Sequence, residues 1–261
     1  MFQLSLFTFL LYCTNSIIVF FFPRYLQDVG LDADQIGIVL AAGSLMTIFA
    51  RPFWGYVCDR QKTVKRVLFI TLVGAFLVSF GIFSLEVFLL LVLCNFIFFL
   101  FNSAWIPLTD TLTLSFAHRH GYHYGAFRMW GSIGGGLCAL LLGVFTDHRG
   151  MSALIWIHAL VLIVAMMTLF KLEDVDKTRK PVSAQSLRQF FSNGTMLLFL
   201  LGALAVSIPH RMNDSMLSLY MSDLGASDTQ LGFAWLVATF SSVPFLYYSG
   251  KIIDKFGELK V

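Results

Sequence analysis

The stretch YLQDVGLDADQIG, residues 25 to 37, recurs without a gap as YMSDLGASDTQLG, residues 220 to 232. At the same offset of 195 positions, GYVCDR at 55 to 60 falls on GKIIDK at 250 to 255. The repeat predicts that the chain after residue 195 restarts the architecture with which it begins. The matched residues are Tyr25, Asp28, Gly30, Gln35, Gly37, Gly55 and Asp59 in the first copy, and Tyr220, Asp223, Gly225, Gln230, Gly232, Gly250 and Asp254 in the second.

The composition around this repeat is that of a membrane protein. Hydrophobic residues make up 57% of the 261 positions and charged residues 13%, a balance that no soluble domain of this size needs. Eight nearly uncharged runs have the roughly 17 to 25 residues of a spanning helix, and they are too long for barrel strands. The sequence therefore predicts an all-α membrane protein. The runs cover about 3 to 23, 37 to 57, 67 to 85, 87 to 109, 125 to 145, 151 to 170, 195 to 220 and 230 to 249.

Basic residues indicate the orientation of these helices. Lys and Arg cluster after the second, fourth, sixth and eighth runs, whereas the alternate loops lean acidic. The positive-inside rule places the N-terminus in the cytoplasm of a multi-pass protein in the cell membrane, inner or plasma. The net charge of +3 is then explained by the basic residues of the cytoplasmic loops, and nucleic acid is not an expected partner.

One long polar segment divides the chain. Residues 171 to 194 are charged, contain one proline and show no apolar period, which is typical of a cytoplasmic linker. The predicted organisation is a six-helix N-terminal half at 1 to 170, the linker at 171 to 194, and the start of a second half, with two helices, at 195 to 261.

At these motifs the chain resembles the major facilitator superfamily, whose two six-helix halves are parallel repeats around a central cavity. GYVCDRQKTVKR at 55 to 66 and GKIIDKFG at 250 to 257 match its GxxxD[RK] loop. The resemblance implies a charged latch on the cytoplasmic side that favours the outward-open state. The alternative is a solvated loop with positive-inside charge. The predicted gating residues are Gly55, Asp59, Arg60, Gly250, Asp254 and Lys255.

A second pair of motifs is similar to the lactose-permease and phenylpropionate-transporter branch of that superfamily. PLTD at 107 to 110 and YGAFRMWGSIGG at 124 to 135 place an acid, Asp110, and an arginine, Arg128, on neighbouring helices. The resemblance implies that the two meet in the cavity as substrate-binding or gating residues. An unpaired arginine at bilayer depth costs about 3 kcal/mol or more, so Arg128 needs a cavity or a counterion. A purely structural ion pair is the alternative.

The glycines near Arg128 predict close packing of helices. Gly131 and Gly135 are four positions apart on one helical face, and we favour helix packing over phosphate binding for them.

The seventh run carries a further cluster in SIPHRMNDS, 207 to 215. His210 and Arg211 lie one turn before Asp214, which the family resemblance also implies as an acid on this helix. Proton coupling, substrate binding and a structural charge network all remain open for the three residues. Asn15, opposite His210 in the repeat, is a weaker substrate-binding candidate. Arg51 precedes Pro52 near the cytoplasmic end of the second run, and we interpret it as a structural residue that snorkels.

Two function classes follow. The first is a secondary active transporter, a proton-coupled symporter of a small organic solute such as a sugar, nucleoside or aromatic acid. The second is a non-transporting membrane protein with the same fold, a remnant or an assembly partner. An enzyme is not expected, and neither is a cofactor or a metal. The repeat predicts a complete length of about 390 residues, so we expect this chain to be truncated after the eighth helix.

Overall fold

A computed structural model describes residues 1–174 and 192–256. All the secondary-structure elements assigned in these two ranges are helices. Within these described residues, eight helices are long and apolar enough to cross a membrane, which confirms the eight predicted runs. Residues 175–191 of the predicted linker lie outside the described residues. The helices are α1 (Phe2–Asp28), α2 (Ala33–Gln61), α3 (Val64–Ile82), α4 (Phe88–His120), α5 (Gly125–Arg149), α6 (Met151–Phe170), α7 (Gly194–Asp223) and α8 (Asp228–Phe256).

Three of the eight helices change their backbone pattern along their length. Helix α1 consists of Phe2–Ser16, a π turn at Ile17–Phe21 and Phe22–Asp28; α4 consists of Phe88–Asn102 and Trp105–His120; α6 begins with a 3-10 turn at Met151–Ala153 and continues as Leu154–Phe170. In α1 and α4 a proline, Pro23 or Pro107, lies in the first turn after the change. Proline lacks an N–H and clashes with the carbonyl four residues earlier, which disfavours a regular helix at these two points.

The repeated stretch forms the same turn in both copies. Gly30 and Gly225, which the repeat aligns, have φ angles of +98° and +79°. These left-handed values are readily adopted only by glycine, so each copy ends one helix and turns into the next at the same residue.

Both copies also begin the next helix with the same reciprocal cap. Asp32 accepts the N–H of Gln35 at 2.8 Å, and Gln35 accepts the N–H of Asp32 at 3.2 Å. Ser227 accepts the N–H of Gln230 at 3.2 Å, and Gln230 accepts the N–H of Ser227 at 3.0 Å. The matched glutamines therefore have a structural explanation, since each completes a capping box.

Helix α1 packs against α5 through glycines. A Cβ on Gly131 would lie 2.6 Å from the ring of Tyr12, so a larger residue has no space there. Ser16 donates its hydroxyl to the carbonyl of Gly135 at 2.8 Å. These contacts confirm the predicted role of the two glycines in close helix packing.

The opposite side of α5 packs against α8, again through glycines, and the contact follows the length of both helices. Near one end, a Cβ on Gly232 of α8 would collide with the backbone of Ala139. Near the other end, a Cβ on Gly125 of α5 would collide with the backbone of Leu246. Because backbone meets backbone at both points, α8 is held closely on the six preceding helices.

The bundle has an acidic end and a basic end. The acidic end carries Asp28, Asp147, Asp223 and Asp228; the basic end carries Arg60, Lys62, Lys65, Arg66 and Arg119. At the acidic end α1 contacts both α7 and α8. Phe20 stacks on Trp235 with ring centroids 3.8 Å apart, and Gln27 donates to Asp223 at 3.1 Å.

Helix α7 differs from its neighbours in burial. Every residue from 201 to 213 is exposed, and Asp214 is the first buried residue of the helix. Ser218, one turn later, is fully buried and donates its hydroxyl to the carbonyl of Phe20. Helix α7 thus packs on α1 only toward the acidic end.

Candidate functional site

A cavity of about 360 Å³ lies between α1, α2, α4 and α7. It adjoins the irregular points of these helices, because the π turn of α1 and the interruption of α4 both contribute to its wall. Irregular backbone at membrane depth is tolerated where it faces a cavity. The polar and charged residues of the wall are Asn15, Ser44, Thr47, Arg51, Asn102, Ser103, Arg211, Asp214 and Ser215.

Three residues selected from the sequence, Asn15, Arg211 and Asp214, meet in this wall. The carboxylate of Asp214 lies 3.5 Å from the guanidinium of Arg211 and 3.8 Å from the imidazole of His210. Only 11% of the Asp214 side chain is exposed, against 71% for His210 and 68% for Arg211. A buried acid therefore lies beside two basic side chains, all three within two turns of α7.

Arg51 also lines the cavity, although the sequence favoured a snorkelling role for it. The predicted run ended at residue 57, but the helix continues to Gln61, so ten residues separate Arg51 from its end. At 1.5 Å per residue this is about 15 Å, which puts Arg51 well inside the helix. Arg211 of α7 lines the same cavity.

Arg128 does not contact Asp110 in the structure. Its guanidinium lies over the ring of Tyr12, 4.6 Å from the centroid, which is a cation–π contact. Tyr12 in turn meets Trp105 edge to face at 5.2 Å, and Trp105 lines the cavity. Arg128 is therefore connected to the cavity wall through two aromatic rings.

Asp110 has a different partner, Tyr124, which donates its hydroxyl to the carboxylate at 2.7 Å. Partial burial and this hydrogen bond raise the pKa of Tyr124 above its usual value. The phenol consequently stays protonated and remains a donor to Asp110. Each member of the predicted pair therefore contacts a tyrosine: Asp110 accepts a hydrogen bond from Tyr124, and Arg128 packs over Tyr12.

The predicted gating residues lie at the basic end. Asp59 and Arg60 are exposed, and a Cβ on Gly55 would meet no atom within 4 Å. In the second copy, Gly250 packs on the ring of His123 and Lys255 is exposed. The side chain of Asp254 lies outside the described residues.

An acid that the sequence did not suggest stabilises the loop next to Asp59. Asp174, after α6, accepts the N–H groups of Val64 and Lys65 at 3.1 and 3.0 Å, together with the hydroxyl of Thr63. A carboxylate at these N–H groups caps α3 and complements the helix dipole. No sequence pattern connects residues about 110 positions apart, so this contact required the structure.

Tyr12 and Tyr124 were also missed, although a signal existed for one of them. Tyr124 is the first letter of the YGAFR motif that indicated Arg128. Tyr12 lies in an apolar run with no motif, and only the packing of α1 on α5 brings its ring to Arg128.

Comparison with known proteins gives the chain a family. The model of the MFS_1 like family matches residues 1–261. An uncharacterized transporter, YwbF of Bacillus subtilis (strain 168), is 28% identical over 249 residues, which is 95% of this chain and 62% of the relative. Lactose permease of Citrobacter freundii is 24% identical over 264 residues, 91% of this chain and 62% of the relative.

A solved structure shares the fold. The crystal structure of the nucleoside transporter NupG (D323A mutant) superposes with a TM-score of 0.78 at 17% identity, covering 98% of this chain and 68% of that chain. The predicted major facilitator fold is thereby confirmed. The chain spans less than two thirds of the length of YwbF and of the lactose permease.

Proposed function

We propose that this chain, which belongs to the MFS_1 like family, acts as a secondary active transporter that carries a small organic solute together with protons by alternating access. The chain is a multi-pass membrane protein. The proposed solutes are those inferred from the sequence: a sugar, a nucleoside or an aromatic acid. The related lactose permease and the nucleoside transporter fold fit this range. The relatives are transporters, and we propose no enzymatic activity.

One observation carries the proposal. The cavity is lined by α1, α2 and α4 of the first repeat unit and by α7 of the second, so solute bound there contacts both units. Its volume of about 360 Å³ lies within the range of small-molecule sites. Movement of one unit against the other would change access to such a site, which is what alternating access requires.

Asp214 is the proposed proton-coupling residue, with His210 and Arg211 as its partners. Protonation of Asp214 would release Arg211 from its ion pair, and the imidazole of His210, 3.8 Å from the carboxylate, can relay the proton. Because Arg211 and Asp214 both line the cavity, loss of their ion pair on protonation would link proton binding to a change in the cavity wall.

Asn15 is proposed to contact solute directly from α1. For Arg128 and Asp110 we propose a substrate-binding role at the edge of the same cavity. The supporting observation is the chain of contacts from Arg128 through Tyr12 to Trp105, a wall residue.

The basic end is proposed to face the cytoplasm of the cell membrane, which puts the N-terminus inside. The loop residues Gly55, Asp59 and Arg60, with their counterparts Gly250, Asp254 and Lys255, then form a cytoplasmic latch. With the acidic end outside, the contacts of Gln27 with Asp223 and of Arg24 with Asp228 would lie on the external side of the bundle. The proposed domains remain residues 1 to 170 and 195 to 261, joined by the linker.

A second candidate function is supported by the exposure of α7. Apolar side chains such as Leu198, Phe199 and Val206 are 69 to 74% exposed along its basic-end half. A non-transporting protein that presents this surface to a partner helix in the membrane would have the same fold. The two functions differ in whether bound solute crosses the bilayer.

The test is uptake by the 261-residue chain reconstituted in proteoliposomes. An inward proton gradient is imposed, and radiolabelled lactose, uridine and 3-phenylpropionate are offered separately. We expect one of them to accumulate, and we expect a protonophore to abolish accumulation. Asp214→Asn should lose gradient-driven uptake but retain exchange of solute between the two sides, because exchange needs the site and not the proton.

Arg119→Gln, an exposed charge at the basic end, is the matched control and should behave as the unmodified chain. Accumulation that ignores the gradient would contradict proton coupling. Binding of a solute without uptake or exchange would favour the non-transporting function.

A further inference from the structure

The charge of the cavity is unbalanced. Three of its wall residues are charged, and they are two arginines, Arg51 and Arg211, and one acid, Asp214. Asp214 is engaged by Arg211 at 3.5 Å. Arg51 forms no ion pair or hydrogen bond with any residue in 1–174 or 192–256. Among the described residues, one positive charge of the wall therefore has no counterion.

The two arginines come from different helices, α2 and α7, and both line this one cavity. Like charges that line one cavity repel each other, and an anion bound between them removes that repulsion. Guanidinium groups also present paired N–H donors whose geometry matches a carboxylate.

The wall offers further donors that have no partner. The amides of Asn15 and Asn102 form no side-chain hydrogen bond among the described residues. The hydroxyl of Ser103 is buried, with the residue 6% exposed, and it too has no hydrogen-bond partner there. A buried polar group without a partner is unfavourable, so these donors favour a ligand rich in acceptor oxygens.

We propose that this cavity binds the carboxylate of a small anionic solute between Arg51 and Arg211, which names the solute class of the transport function proposed above and rests on it. Arg51 provides the free charge. Arg211 provides the second fork, held in place by Asp214 while the cavity is empty. Asn15, Asn102 and Ser103 donate to the remaining oxygens of the solute.

The test measures binding rather than transport, so that it can fail or succeed independently of uptake. The purified full chain is placed in nanodiscs of phosphatidylcholine, and calorimetry compares two matched pairs: 3-phenylpropionate with 3-phenylpropanamide, and gluconate with glucose. We expect at least one acid to bind about 10- to 100-fold more tightly than its uncharged partner, the difference typical of hydrogen bonds to a charged group.

Variants locate that preference. Arg51→Gln should reduce the affinity for the acid to that for the uncharged partner, whereas Arg51→Lys should keep part of the preference because it keeps the charge but not the fork. Arg119→Gln removes one positive charge outside the cavity and should leave both affinities unchanged. Elution as a single species and an unchanged melting temperature verify that each variant is folded.

Three results would overturn the proposal: no acid binds, acid and uncharged partner bind equally, or Arg51→Gln leaves the preference intact. An anionic lipid headgroup is the other source of the same chemistry. Native mass spectrometry with added phosphatidylglycerol tests it, and loss of bound lipid in Arg51→Gln with unchanged acid affinity would also overturn the solute assignment. Acid binding without uptake would leave this site intact and contradict only the transport function.

Discussion

Helices α7 and α8 belong to the same copy of the internal repeat, yet they contact the six preceding helices differently. Helix α8 packs on α5 along its length, with backbone against backbone at Gly232 and at Gly125. Helix α7 packs on α1 only from Asp214 onward, and its residues 201 to 213 are exposed. The cavity lies beside the helix that is less closely held.

The difference follows from where small residues occur. Glycines on α5 and α8 face each other's backbone, which permits an approach that no side chain would allow. The two glycines of α7, Gly194 and Gly202, would each meet no atom within 4 Å if they carried a Cβ. Close packing therefore fixes α8, and the charged residues of α7 are left beside a space that a solute can occupy.

The largest expected effect comes from adding one methyl group at Gly232. In Gly232→Ala the Cβ would collide with the backbone of Ala139, which cannot rotate away. Overpacking of this kind costs about 1–3 kcal/mol, and the α5–α8 contact should loosen. The melting temperature of the purified chain measures the loss.

The repeat supplies a matched control, since Gly37 is the counterpart of Gly232 and a Cβ added to it would meet no atom within 4 Å. Gly37→Ala should be neutral or stabilising by about 0.5–1 kcal/mol, because alanine is the better helix former. Equal effects of the two substitutions would show that α8 is not held by its close approach to α5.

A middle-sized effect is expected where α5 caps α8. Asp147 accepts the N–H groups of Asp228 and Thr229 at 3.0 and 2.9 Å, so the cap of α8 comes from another helix. Helix α7 is capped by the adjacent Asn193, which accepts the N–H of Thr195 at 3.0 Å. Loss of an N-cap costs about 0.5–2 kcal/mol of stability. We expect the two losses to destabilise different parts of the molecule.

Asp147→Ala should lower the stability of the whole bundle, whereas Asn193→Ala should fray only the first turn of α7. Hydrogen exchange read by mass spectrometry distinguishes them. We expect faster exchange across α8 in the first variant and at the start of α7 alone in the second. Exchange confined to the first turn of α8 in Asp147→Ala would mean that the cap does not couple the two helices.

Most of the fold could be predicted from the sequence because its determinants are local. Run length indicated the eight helices, and the aligned glycines and glutamines of the repeat proved to form equal turns and caps. What the sequence could not provide is the depth and rotation of each helix. Those depend on which glycines meet which neighbours, as Gly131 and Tyr12 illustrate.

The site was predicted in part for the same reason. Charges and amides inside apolar runs identified Asn15, Arg211 and Asp214, and the structure brings them to one cavity. Arg51 was interpreted as a snorkelling structural residue; the structure adds that it lines the cavity, and that the helix extends four residues beyond its apolar run. The structure does not show the expected contact of Asp110 with Arg128; each of them contacts a tyrosine, Tyr124 and Tyr12.

The smallest expected effect is at the acidic end, where Arg24 of α1 lies 3.6 Å from Asp228 of α8. Both side chains are partly exposed, at 26% and 14%, so solvent weakens their attraction. Such pairs are worth about 0.2–1 kcal/mol and are screened by salt. A double-mutant cycle of Arg24→Gln and Asp228→Asn should give a coupling energy in that range at low salt and close to zero at about 1 M salt.

Gln27→Ala, which removes the hydrogen bond from α1 to Asp223 of α7, is the companion variant and should show no such salt dependence, since the glutamine is neutral. A coupling energy that survives high salt would mean that this pair, and not the glycine contact alone, holds α8 in place.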